Sequence, residues 1–433
     1  MYEPGVCPGF YGGGEDLNTA MVTLYVSDQS LYLAGQWLYA HAGNQPVQLL
    51  AARSCRESAQ ALQRKFAVAS EPLMLPEPEE PPEALGADVR ARVQAFGTTR
   101  VVLPVSFDSL PLRYSPETNM PDVAPRYPIF RQLWTLGFRE FDLFNLWGTS
   151  RVCIPYLLDE FRNRHKGQRC FVVGNGPSLN QIDMTRLRNE ITLGANRCYL
   201  GYEKWGFPFT YWGINDGLQI ERHRAEYETH IPADTVKFFP IEYLPLLRFE
   251  NACPVNVQPC ASYEPLFSDS CERVYMGSAV TYLLVQVAAV MGCDPIVLVG
   301  VDHRYALKTR SDGNGPLVPK RLLRSLRRIE DRFERTLIGD ILRARRERSA
   351  KARRITHNAA DFWNAGDAAE PTHFDARYLE GENREFATPS MKCATDQFAC
   401  AARWGEQRGV RILNATPGTA LKTVPLIPFD DLF

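Results

Sequence analysis

The 433-residue sequence holds 11 cysteines and seven histidines, yet it has no CxxC pair and no Cys/His cluster at zinc-ligand spacing. That excludes the common structural zinc modules. Most of the cysteines sit inside apolar runs, as Cys153, Cys170, Cys198 and Cys293 do, and read as reduced, buried thiols of a cytoplasmic protein. Charge of one sign is also missing: 49 Lys and Arg face 50 Asp and Glu, a formal net charge of −1. A chain-wide polycation is thereby excluded, and no specific nucleic-acid partner is expected. The longest apolar stretch, Val280–Met291, falls far short of the roughly 20 residues a membrane span needs. The start MYEPGVCPGFYGGGED has neither a basic nor an apolar leader region, so no signal peptide is expected. There is no GxSxG, HExxH, Cys/His nucleophile pair or glycosidase-like carboxylate pair. Hydrolysis by a triad is therefore not expected, and transfer from an activated donor fits better.

What is present is alternation. Met21–Val26, Val47–Ala51 and Thr99–Val105 read as strands, with helices at Ser30–His41 and Glu57–Ala67 between them. This predicts a small α/β N-terminal unit over residues 1–110, of unknown role. The run EPLMLPEPEEPP, residues 71–82, reads as an exposed linker. A helix at Ile129–Leu136, a strand at Glu140–Leu146 and a helix at Ile154–Arg164 come next, the last ending at Gly167. From Cys170 the pattern is regular: CFVVG, ITLGAN, FTYWGIND, VKFFP and PIVLVGVD as strands, with helices at Leu218–His230 and Ser278–Met291 and a final helix–strand pair at 394–414. The expectation is a doubly wound, mostly parallel Rossmann-like sheet with helices on both faces, forming a catalytic domain over residues 126–433. Pro319–Arg354 holds fourteen Lys and Arg against five Asp and Glu. It reads as a basic amphipathic helical insertion, either a solvated face or a surface for an acidic partner or an anionic inner membrane.

Six motifs carry chemistry. In FVVGNGPSLNQID, a buried strand runs into a glycine turn that is expected to feed a helix. Backbone N–H groups there would face phosphate oxygens, with Gly174 and Gly176 permitting close approach and Pro177 stiffening the turn. Ser178 would cap the helix and touch a phosphate, and Asn175 would hydrogen-bond a base, ribose or phosphate. The loop is neither a Walker loop nor the GxGxxG fingerprint. Asn196, ending the next strand, shares its rim, and Arg197 faces phosphate or solvent. Asp216, at another strand end, would bind a metal, a ribose or an acceptor hydroxyl, or cap the next helix. Asp302 and His303 leave the most apolar strand and suit general-base or metal work. His373 lies in a polar loop with a catalytic or substrate role expected. RILNATPGTAL, with Thr416, reads as a further rim loop that either closes the site or finishes the fold.

FVVGNGPSLNQID, LGANR, YWGIND, MGSAVTYLLVQVAAVMGCDPIVLVGVDHRY and ILNATPGTAL stand in this order. The run they span, Arg169 to Phe433, resembles the bacterial 6-hydroxymethylpterin diphosphokinase-like family. That family includes the motility accessory factors, implicated in glycosylating flagellin with nonulosonic sugars. The same order resembles bacterial sialyltransferases with a Rossmann-like domain. That resemblance implies that Asn175, Ser178 and Asn196 hold the cytidine monophosphate of a CMP-sugar, that His373 is the general base, and that no cofactor is required. A resemblance to archaeal pterin diphosphokinases implies instead that Asp216 and Asp302 hold Mg2+ for pyrophosphoryl transfer from ATP. Three readings are thus open: a glycosyltransferase acting on a glycan or protein acceptor, a diphosphokinase, and a non-catalytic nucleotide-binding scaffold.

Overall fold

A computed structural model of the chain describes residues 21–27, 30–43, 45–78, 80, 84–98, 100–105, 127–145, 148–247, 249–258, 265–305, 359–364, 371–379 and 385–433. The basic segment 319–354 lies outside the described residues. The chain divides into two units, residues 1–160 with 237–257, and residues 161–236 with 258–433. Residues 127–153, expected to belong with the catalytic domain, instead complete the sheet of the first unit.

The first sheet contains β1 (Val22–Val26), β2 (Val47–Ala52), β3 (Leu73–Leu75), β4 (Arg100–Pro104), β5 (Glu140–Asn145) and β6 (Gly148–Cys153). Their order is β3-β2-β1-β4-β5-β6, parallel except for β6. Helices α1 (Leu31–His41), α2 (Arg56–Lys65), α3 (Ala87–Phe96) and α4 (Tyr127–Thr135) accompany it. Leu24, Val26, Trp37, Leu38, Leu49 and Val102 form one core cluster. Two sequence expectations fail here. The start of the presumed linker is β3, because Leu73 and Leu75 alternate at strand spacing, are buried, and pair with Leu50 and Ala52. Ile154–Arg164 is not a helix but a 3-10 turn at Leu158–Phe161 followed by turns. The N–H groups of Asn163, His165 and Gly167 bond the carbonyls of Val290, Met291 and Gly292 instead of their own preceding turn.

The second sheet contains β7 (Cys170–Val173), β8 (Ile191–Ala195), β9 (Tyr211–Gly213), β10 (Val236–Pro240), β11 (Ala252–Val255), β14 (Ile296–Val299) and β17 (Ile412–Asn414). Its order is β11-β10-β9-β8-β7-β14-β17. Two short pairs, β12 (Val257–Gln258) with β13 (Val274–Tyr275) and β15 (Ala359–Asn364) with β16 (Glu385–Pro389), stand apart. Helices α5 (Tyr202–Trp205), α6 (Gly217–His230), α7 (Val280–Val290) and α8 (Met391–Arg408) complete the described elements. CFVV and IVLV are apolar throughout because both faces of these strands are covered. Helix α7 is buried nearly all round and packs across β7, β8, β9 and β14. Ser390 caps α8 by accepting from the Cys393 N–H, and Gly409, in the left-handed region, stops it. The mostly parallel, Rossmann-like α/β architecture is the one expected. Among the described residues, no helix is long and apolar enough to cross a membrane.

Candidate active site

Val299, Val173 and Gly194 lie in register across β14, β7 and β8. The turns after these strands therefore leave the sheet side by side, at the carboxyl rim. The chain runs from β7 outward to β11 and returns on the other side of β7 as β14, so the β7/β14 boundary is the switch point where open parallel sheets form a ligand crevice. A solvent-open cavity lies there. Of the predicted residues, Gly174, Asn175, Gly176, Asn196, Asp216, Asp302, His303 and His373 line it. Pro177, Ser178 and Thr416 do not.

The glycine turn is built differently from the expected phosphate cradle. No α-helix comes after it; Pro177–Gln181 is a single 3-10 turn, too short to present a helix dipole. The N–H groups of Gly174 and Gly176 bond the carbonyls of Val299 and Gly300, and the N–H of Leu179 bonds Gly176. Asp302 takes the donors of Ser178. Its carboxylate accepts from the Ser178 N–H at 3.3 Å and from the Ser178 hydroxyl at 2.6 Å. Ser178 is fully buried in doing so. The glycines answer to this packing: a Cβ on Gly174 would lie 2.4 Å from the Gly300 carbonyl oxygen, and one on Gly176 would lie 1.8 Å from Asp302 Oδ2. Burial pushes the Asp302 carboxyl above its ordinary range, while the Ser178 hydrogen bonds oppose that rise. Thr416 supports the neighbouring turn after β14. Its hydroxyl accepts from the Val301 N–H, and Thr419 donates to the Val301 carbonyl.

The rim holds buried polar atoms that have no partner among the described residues. Asn175 donates through Nδ2 to the Ala195 carbonyl at 2.9 Å. A carbonyl can only accept, so the amide orientation is fixed and Oδ1 is not the atom that holds Ala195. That oxygen is buried without a partner, as are Asn196 Oδ1, Gln219 Oε1 and Ser278 Oγ, all on cavity-lining residues. Asn196 is held by its left-handed backbone, φ 46°, and by Nδ2 lying 3.4 Å from the Tyr378 hydroxyl. Buried polar atoms without partners are rare in native proteins and call for one.

The two histidines differ. His303, at φ 57°, points Nε2 to the Thr395 hydroxyl at 2.8 Å, and that hydroxyl donates on to the Met391 carbonyl. Its ring is thus tied to the first turn of α8, and burial lowers its pKa. His373 stacks flat on Tyr378, 3.8 Å between centroids and 7° between planes, with Nδ1 2.9 Å from the Thr372 hydroxyl. Burial, and secondarily Arg197, pushes its imidazole down to about 3, so it is neutral near pH 7.

The segment 371–379 carrying His373 is pinned to the rim by groups that sequence reasoning missed. Phe374 donates its N–H to the Asn175 carbonyl and accepts from Asn180 Nδ2. Arg197, expected to face phosphate or solvent, does neither. It is buried and donates to the carbonyls of Arg377 and Tyr378, each at 2.9 Å, and to Glu226 at 2.8 Å. Tyr199 also donates to Glu226, and His223 lies 3.0 Å from it. Burial alone would raise the Glu226 carboxyl, but these hydrogen bonds outweigh it and bring the pKa down to about 2. No local signal marks Gln219; Arg197 stands in the LGANR motif and Ser278 in the MGSAV motif, but neither pattern reveals its partners.

The Mg2+ set implied by the diphosphokinase resemblance fits this geometry poorly. Asp302 already accepts two hydrogen bonds from Ser178 through its carboxylate, and burial favours its neutral form. No group of three His, Cys, Asp or Glu side chains among the described residues is placed to hold a metal.

No protein-family model and no curated protein matches the chain. Among solved structures it is similar to a MAf glycosyltransferase from Magnetospirillum magneticum AMB-1, at 12% identity and a TM-score of 0.35. The alignment covers 96% of this chain and 58% of that one, so the chain spans less than two thirds of that structure's length. Similarity at this level says nothing about chemistry, which rests on the cavity itself.

Proposed function

We propose that the chain is a glycosyltransferase that binds a nucleotide-activated sugar, CMP-linked and of the nonulosonic type, and transfers the sugar to a glycan or protein acceptor. The observation that carries this reading is the pair of unpartnered amide oxygens, Asn175 Oδ1 and Asn196 Oδ1, at the carboxyl rim of β7 and β8. Ribose or sugar hydroxyls and an exocyclic amine are the donors such a pair selects. In the transfer, the acceptor oxygen attacks the anomeric carbon, the bond from that carbon to the phosphate oxygen breaks, and CMP leaves with the electron pair. The acceptor proton passes to His373, which is neutral and therefore able to take it. A base held this low is weak in the empty site; the negative charge of the donor phosphate raises it when bound.

The test is a thermal-shift panel of CMP, CDP, UDP, GDP and ATP, each with and without Mg2+, on wild type and Asn175→Ala. A ligand at 100 times its Kd adds about 2.7 kcal/mol. Metal-independent stabilisation by CMP, lost in the variant, is the expected result. Stabilisation by ATP with Mg2+ alone would replace this reading with the diphosphokinase, and silence across the panel would leave a scaffold.

A further inference from the structure

An anionic ligand needs a positive counterpart, and the glycine turn does not supply one. Four of its N–H groups, those at Gly174, Gly176, Ser178 and Leu179, are already bonded within the protein, and none of its groups carries a formal charge. Arg197 is spent on Glu226 and on two carbonyls. Two carboxylates, Asp216 and Asp302, line the cavity and repel a phosphate. Among the described residues, the only Lys or Arg lining the cavity is Arg304, in the turn after β14. Its side chain is exposed, and its charge acts on the Asp302 carboxyl, though the two are not within ion-pair distance. The turn that places it is rigid: Val301 is held by Thr416 and Thr419, and the Asp302 carbonyl accepts the Ala420 N–H at 2.9 Å.

We propose that Arg304 is the anion-reading residue of the cavity, taking the phosphate oxygens of a bound nucleotide while the unpartnered oxygens of Asn175 and Asn196 take its hydroxyl or amino donors. This division of labour rests on the nucleotide reading above and deepens it. Selectivity for the charged ligand then lies in one exposed guanidinium at a strand end rather than in the glycine loop. A planar guanidinium forms paired, charge-assisted hydrogen bonds with phosphate, and Lys at the same place does so less well.

The experiment compares nucleosides with their 5′-monophosphates by calorimetric titration: cytidine with CMP, and in parallel uridine, guanosine and adenosine with theirs. Wild type, Arg304→Gln and Arg304→Lys are titrated at one ionic strength. A charge-assisted hydrogen bond contributes about 1.5–3 kcal/mol, roughly a 10- to 100-fold preference for the monophosphate in wild type. In Arg304→Gln that preference collapses to within about threefold while nucleoside affinity stays, and Arg304→Lys restores part of it. Because Arg304 is exposed, the variants keep the wild-type melting temperature. An undiminished preference in Arg304→Gln, or no preference in wild type, overturns the role of Arg304 and leaves the nucleotide reading standing. Failure of all eight ligands to bind wild type overturns both.

Discussion

The two sheets reverse direction in the same way and differ in the element that the strand at the reversal runs into. In the first, β1 lies beside β4, and the chain passes from β1 into the eleven-residue α1, whose Leu33, Ala34, Trp37 and Leu38 pack into the core. In the second, β7 lies beside β14 and runs into a glycine turn with only a 3-10 turn after it. Glycine serves the two regions differently. Gly35 in α1 has room: an added Cβ would meet only Leu62 Cδ2 at 3.8 Å. Gly176 has none, because the carboxylate of Asp302 occupies the space. A glycine at a strand end thus reports close packing of two turns as readily as the approach of a ligand.

That contrast can be broken from either side. The largest effect is expected at Gly176→Ala, where the new methyl must displace Asp302 and its bonds to Ser178. A loss of about 3 kcal/mol or more is expected in a urea melt, together with loss of nucleotide binding. A variant as stable as wild type would show that the turn has slack. Next is acidification. His373 has a folded-state pKa of about 3, below the unfolded value of about 6.5. Its contribution to stability is therefore complete above pH 6.5 and is lost progressively as pH falls toward 3. Between pH 6.5 and pH 5, His373→Asn should lose about 1.6 kcal/mol less than wild type. His223 and His303 are shifted in the same direction, so the slope should shrink in the variant rather than vanish. Identical pH profiles would mean the ring is not buried in solution. Smallest, and opposite in sign, is Gly35→Ala, which should stabilise by about 0.5–1 kcal/mol through helix propensity and a less free unfolded chain. Destabilisation there would mean that α1 is as tightly packed as the β7 turn.

Most strands of both sheets were legible because their signal is local: runs such as CFVV and IVLV are apolar on both faces, and the helices between them keep their own period. The reading failed where long-range hydrogen bonding overrides the local pattern. Ile154–Arg164 has the composition of a helix, yet its downstream N–H groups pair with the chain at 290–292. Leu73 and Leu75 stand just ahead of an acidic Pro-rich run that masks a short buried strand. At the site, eight of the predicted residues do line one cavity, since strand ends in a parallel sheet converge on one rim whatever their side chains.

What the sequence determined by itself is the order of elements and the set of strand-end residues, because apolar periodicity and turn chemistry act over a few positions. What each of those residues does was decided by the tertiary structure. Ser178 faces away from the cavity because Asp302, 124 positions later, takes its hydroxyl. Arg197 is a clamp because the carbonyls of Arg377 and Tyr378, 180 and 181 positions away, need donors in a buried place. Asn175 keeps a free oxygen because the carbonyl of Ala195, on the neighbouring strand, holds its other end. A polar side chain's role depends on which partners reach it first, and here those partners come from distant parts of the chain.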